Sequence, residues 1–159
     1  MMLGRHPRWA RGVFTEADLE AVAAAVREAE RATSAEIRVH AERRVAHGLR
    51  RRTTDPMERA REVFAGLGMH RTAHRSGVLI YLAVEDRKLA IVGDEGIHTH
   101  VGDEYWKGVR DRMVERLRAG AMRGALVGAV TEVGAALARF FPRRPDDVDE
   151  LPDDVSLGR

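Results

Sequence analysis

Gly77-Val78-Leu79-Ile80-Tyr81-Leu82-Ala83-Val84, then Glu85-Asp86-Arg87, then Lys88-Leu89-Ala90-Ile91-Val92-Gly93, is the stretch that decides the fold. Its first eight residues are almost wholly apolar and lie between a polar loop and a charged turn. A run of that length and setting predicts a central strand buried on both faces. Glu85-Asp86-Arg87 predicts a tight turn, and Lys88 to Gly93 returns as the antiparallel partner.

The segments upstream set the topology. Asp55-Pro56-Met57-Glu58 places Asp at the N-cap of a helix, Pro at its first position and Glu at its third; Gly66-Leu67-Gly68 stops that helix. Before it, Glu36-Ile37-Arg38-Val39-His40-Ala41 alternates polar and apolar residues, a short strand with Ile37, Val39 and Ala41 on its buried face. Strand, helix and central strand form one βαβ unit, which requires parallel pairing and a right-handed crossover. A further helix is predicted over 16–32, with Thr15 and Asp18 in capping-box positions. Downstream, a helix is predicted from Gly102 or Asp103 to Gly120, turning Trp106, Val109, Met113 and Leu117 inward, and a last one over 123–141, ended by Pro142. The fold class expected is α/β: a three-layer α/β/α domain on a small mixed sheet, with one βαβ unit and one β-hairpin. Residues 1–13 read as a disordered lead-in, 14–142 as the domain, and 143–159 as an acidic, proline-rich tail, either loose or strapped down by Val148, Leu151 and Val155.

Composition bounds the function. The 159 residues suit one domain, and an apolar fraction of 44% is enough for a core. Basic and acidic residues number 27 and 25, so a generally cationic nucleic-acid protein is excluded, and nucleic acid is not the expected partner. Cysteine is absent, which excludes disulfides, thiolate metal sites and cysteine nucleophiles. Residues 1–13 carry Arg5, Arg8 and Arg11 but no apolar stretch of signal-peptide kind. Gly124 to Phe141 is interrupted by Thr131, Glu132 and Arg139 and is too charged to span a bilayer. A cytoplasmic protein with no membrane contact is the expectation.

The strand–turn–strand block up to Ile97, together with Leu67-Gly68-Met69-His70-Arg71-Thr72, Ser34-Ala35-Glu36-Ile37 and Trp106, resembles the TPM-domain family from about Phe14 to Pro142. That family includes the thylakoid-lumen acid phosphatase-like proteins of photosystem repair and many bacterial proteins. Pro145-Asp146-Asp147 and Glu150-Leu151-Pro152-Asp153 look like the tail of its short bacterial members. The resemblance implies an α/β/α fold, a divalent cation, calcium in some relatives, and weak phosphatase activity.

Several constellations compete for a site. Parallel strands end on one edge of a sheet, where ligands of open α/β folds sit. That edge should gather Glu85 and Asp86 with Glu42, His40 and the loop leading to Asp55. Glu85, Asp86, Glu42 and Asp55 are therefore the expected oxygen ligands of calcium or magnesium, against the plainer reading that Asp86 shapes the turn. Asp94-Glu95, nearing Glu36 at the opposite edge, reads as solvated loop acids. The pairs His70/His74 and His98/His100 fall in expected loops without a zincin pattern. Arg43-Arg44 and Arg50-Arg51-Arg52 make a basic patch without stacking aromatics, suited to phosphate or to a solvated loop. Ser34, Ser76 and Ser156 lie in no hydrolase motif.

Two function classes lead, ahead of a third and weaker one, a nucleic-acid binder through residues 43–52. The first is a cation-binding TPM-like domain, which, if an enzyme, is by resemblance a metal-assisted phosphomonoesterase with Arg43, Arg44 and Arg87 on the phosphate. Its substrate would be a phosphorylated small molecule. The second is a non-catalytic module that assists assembly or repair of a protein partner.

Overall fold

The computed structural model describes residues 6–45, 53–145 and 154–158. Four strands form one mixed sheet in the order β3-β2-β1-β4. Strand β2 (Val78–Ala83) is buried along its whole length, as its apolar run requires. It pairs in parallel with β1 (Ile37–Glu42), from Ile37 opposite Val78 to Glu42 opposite Ala83. On its other side it pairs antiparallel with β3 (Lys88–Gly93).

Side-chain alternation makes three layers. Ile37, Val39, Ala41, Val78, Ile80, Leu82, Leu89 and Ile91 face the larger core, shared with α2 (Glu16–Glu30), α4 (Glu95–Arg118) and α5 (Met122–Phe140). Leu79, Tyr81, Ala83 and Ala90 face the other way, against Ala60, Val63 and Phe64 of α3 (Pro56–Gly66) and Met69 of the following 3-10 turn. A strand covered on both faces has no polar side to show, which explains the unbroken run of β2.

Helix starts follow their caps. The Thr15 hydroxyl accepts from the Asp18 N–H and the Asp18 carboxylate accepts from the Thr15 N–H, both at 2.9 Å, a complete capping box. Asp55 caps α3 by accepting the Met57 N–H at 3.0 Å. Helix α4 departs from expectation. It begins at Glu95, capped by Asp94, and bends at Gly102, whose φ of 75° and ψ of 173° suit only glycine. A helix does begin after Gly102 as expected; what the sequence hid is the helical stretch from Glu95 that runs into it across this kink, so His98 and His100 are helical residues rather than loop residues.

The flanks are more ordered than the sequence suggests. Within the expected lead-in, Arg8–Arg11 form a short helix, α1, whose Ala10 is buried. This corrects the reading of residues 8–13 as disordered: Ala10 and Phe14 sit in the main core. The tail contributes a fourth strand, β4 (Ser156–Leu157), parallel to β1, with His40 opposite Ser156. Val155 and Leu157 pack against the core margin, whereas Val148 and Leu151 lie outside the described residues. The two flanks meet: the Trp9 indole N–H donates to the Gly158 carbonyl at 2.9 Å. Among the described residues no helix is long and apolar enough to cross a membrane.

Candidate functional site

Glu42 ends β1 on the face covered by α3, and it is fully buried. Arg59 of α3 grips it with two N–H groups, at 2.9 and 2.6 Å. The Tyr81 hydroxyl donates to it at 2.6 Å and the His40 Nε2 lies at 3.2 Å. The other ring nitrogen, Nδ1, lies 2.8 Å from the Ser156 hydroxyl, so the imidazole bridges the carboxylate and β4. Burial by itself would raise the Glu42 pKa, but hydrogen bonds from Arg59, His40 and Tyr81 more than offset it and hold the carboxyl far below its usual range. Burial and the hydrogen bond to this anion push the Tyr81 hydroxyl well up, and bonding to Glu42 does the same for Arg59. Glu42 is therefore a fixed anion near neutrality, unsuited to general acid–base work. It locks α3 and β2 to the end of β1, and His40 carries the chain of bonds on to Ser156 of β4.

The other expected ligands are placed as follows. Glu85 is exposed and held by Nε of Arg43 at 2.7 Å and of Arg44 at 2.8 Å, which lowers its pKa. Asp86 accepts the Val45 N–H at 2.7 Å. The turn after β2 and the loop after β1 thus do meet, joined by arginines and a backbone amide. Glu42 and Asp55 turn elsewhere, one to Arg59 and one to its helix cap. Arg87 is exposed at the turn with φ at 53°. Among the described residues no three His, Asp or Glu side chains form a group able to share a metal ion. At the opposite edge Asp94 caps α4 and pairs with Arg75 at 3.2 Å. The histidine pairs are split: His74 packs near Phe141, His100 stacks on Phe140, and His98 accepts from Trp106. Arg50, Arg51 and Arg52 lie outside the described residues.

The structure shows a second concave place that the sequence reading did not single out. A groove of about 350 Å3 runs along β3 at Ile91, Val92 and Gly93, between Met57 and Arg61 of α3 and the α4 residues His98, Asp103, Trp106, Lys107 and Arg110. Trp106 closes down on Gly93, where any Cβ would collide with its ring. Its indole N–H donates to His98 Nδ1 at 3.0 Å, and His98 Nε2 faces Asp103 at 3.6 Å. Three cations and one carboxylate surround an aromatic wall, a setting for an anion. The sequence carried a faint signal: Lys107 and Arg110, three apart beside an inward tryptophan, share one helix face. Another hollow, of about 490 Å3, lies between α2 and the tail, with His6, Glu16, Glu20 and Asp154 in its lining.

The TPM domain family model matches residues 9–136. This chain belongs to the TPM-domain family. Among solved structures, this TPM domain is similar to the BA42 protein of the psychrophilic bacterium Bizionia argentinensis, with 39% identity and a TM-score of 0.80, covering 91% of this chain and 95% of that one. It is also similar to the N-terminal domain of the cg2496 protein of Corynebacterium glutamicum, with a TM-score of 0.61 over 94% of this chain and 95% of that one. At 14% identity the second likeness shows the fold alone. Comparison with curated proteins finds no match.

Proposed function

We propose that this TPM domain is a non-catalytic binding module whose anionic ligand sits in the groove between α3 and α4. The observation that carries this reading is the groove itself, with Arg61, Lys107 and Arg110 around the fixed Trp106 wall. Of the expected carboxylate ligands, Glu42 is held by Arg59 and Tyr81, and Asp55 caps α3. The test uses Trp106 as reporter in a Trp9→Phe background, titrated with poly-L-glutamate, pyrophosphate and poly-L-lysine. An anionic probe should change Trp106 emission, and replacing both Arg61 and Arg110 by alanine should abolish the response. Silence toward both anions, or a response that survives the double substitution, overturns the reading.

A second reading is a calcium or magnesium ion at the Glu85–Asp86 turn, favoured by the exposure of both carboxylates beside the loop after β1. An ion there would supply Lewis acidity toward a phosphomonoester. Arg43 and Arg44 would then have to leave Glu85 to hold the phosphate. Asp86→Asn keeps an oxygen for the Val45 amide while removing the charge. If calcium or magnesium raises the melting temperature of the native chain and not of that variant, this reading stands. If neither ion shifts the native chain, it falls.

A further inference from the structure

The Trp106 wall of the groove is held in two ways that differ in their response to acid. One is steric: the ring lies on Gly93, where any Cβ would collide with it. The other is polar: the indole N–H donates to Nδ1 of His98 at 3.0 Å. An indole N–H can only donate, so Nδ1 must offer a lone pair, and the ring proton of neutral His98 sits on Nε2. Nε2 faces the Asp103 carboxylate at 3.6 Å. A protonated imidazole carries hydrogen on both nitrogens and accepts at neither. The bond to Trp106 thus exists in one charge state of His98 only.

We propose that His98 is a proton-operated latch on Trp106: neutral, it fixes the groove wall; protonated, it releases the wall and pairs with Asp103. The His98 side chain is 46% exposed and open to solvent protons, whereas Trp106 is 9% exposed. Once Nδ1 is protonated, two N–H groups oppose each other across 3.0 Å. A buried donor without an acceptor is unfavourable, so the indole must turn away. The bond also crosses the Gly102 kink, joining the part of α4 before it to the part after it. The earlier part is anchored: Ile97 is fully buried, the Gly96 N–H donates to the Arg75 carbonyl at 2.7 Å, and a Cβ at Gly96 would strike that backbone. The adjustment therefore falls on the Trp106 ring. Among the described residues, the charged groups that share the groove with His98 are Asp103, Lys107 and Arg110 of α4 and Arg61 of α3; its β3 lining, Ile91 to Gly93, has none. Protonation adds a fourth cation to three that one carboxylate opposes. As regulation of the groove this rests on the binding-module reading: an anion should bind more tightly in acid, and its binding should promote proton uptake in turn. The latch itself needs no ligand.

The experiment uses the full chain in a Trp9→Phe background, which leaves Trp106 as its one tryptophan. The Trp106 indole N–H and the His98 ring protons are followed together by NMR from about pH 8 to about pH 5, where histidines ordinarily change charge. The indole signal should move in step with the His98 ring. His98→Asn keeps a side-chain acceptor that does not titrate, and should hold Trp106 in its neutral-pH state throughout. His98→Ala removes the acceptor and should give the acid-state indole signal at every pH. If Trp106 ignores the protonation of His98, or responds equally in His98→Asn, the latch is overturned. A second arm measures poly-L-glutamate binding at both ends of this range, over which its carboxylates stay mostly ionised. Affinity should rise about threefold or more toward acid, and by less in His98→Asn, since the charge on the other histidines is common to both chains. Equal pH dependence in the two chains overturns the regulation of the groove. If poly-L-glutamate binds at neither pH, the binding-module reading falls, and the first arm alone decides the latch.

Discussion

Glu42 shows how one residue can mislead a sequence reading and still govern the molecule. Placed at a sheet edge near Glu85, Asp86 and Asp55, it invites a metal site; in the fold its charge is met by Arg59 from the layer above. That partner was not legible, because reading Ile37, Val39 and Ala41 as the buried face left Arg38, His40 and Glu42 to solvent, whereas α3 covers that face too. Removing one member of a buried ion pair leaves the other uncompensated. Arg59→Met is therefore expected to cost about 3–5 kcal/mol, measured by urea denaturation, and adding Glu42→Gln should recover part of the loss. The pH dependence has a definite sign. The Glu42 pKa is lower folded than unfolded, so its contribution is full above the ordinary glutamate value of about 4.3 and is lost as pH falls below it. Melting curves from pH 7 to acid should fall more steeply for the native chain than for Glu42→Gln. At the groove, Gly93→Ala should displace Trp106, costing about 1–3 kcal/mol and changing indole emission in a Trp9→Phe background. An unshifted spectrum would mean that the ring does not rest on that glycine.

Among the elements, those with signals of their own were readable and those defined by neighbours were not. The apolar run and charged turn specify β2 and β3, and the Thr15 and Asp55 caps specify where α2 and α3 begin. Strand β4 has two residues and no pattern. It exists because β1 offers an edge, the His40 ring hydrogen-bonds the Ser156 hydroxyl, and the Ala41 carbonyl accepts the Gly158 N–H at 2.8 Å. The first turns of α4 were hidden because Gly102 interrupts the helical rhythm. The groove depends on α3 and α4 standing on either side of β3, a relation no local spacing encodes. Deleting residues 154–159 should leave the other three strands folded while removing the Ser156, Trp9 and Gly158 bonds. The expected loss is on the order of 1–3 kcal/mol. Amide exchange should then quicken in β1 and scarcely change in β3; faster exchange throughout the sheet would show that β4 is needed for the whole fold.

For the whole molecule, the family and the three layers were legible from the strand–turn–strand block, since burying one strand on both faces demands helices on each side. The two cores are unequal: the larger one joins α2, α4 and α5 to one sheet face, and the smaller one holds α3 over the other. A ligand seated between α3 and α4 touches both layers, so it should raise the melting temperature of the whole domain by mass action. Calorimetry with a saturating acidic probe should show one transition moving upward.

The bond between the Trp9 indole and the Gly158 carbonyl places two positions 149 residues apart side by side. Chain order is then a convention the fold does not need. A short linker joining these flanks, with new ends opened at the exposed Gly120 between α4 and α5, gives a circular permutant that keeps every strand pairing. It should give the native amide spectrum except near the new ends and the linker. Such a rearranged chain would also free both flanks from carrying tags, and let reporters be attached on the side away from the groove.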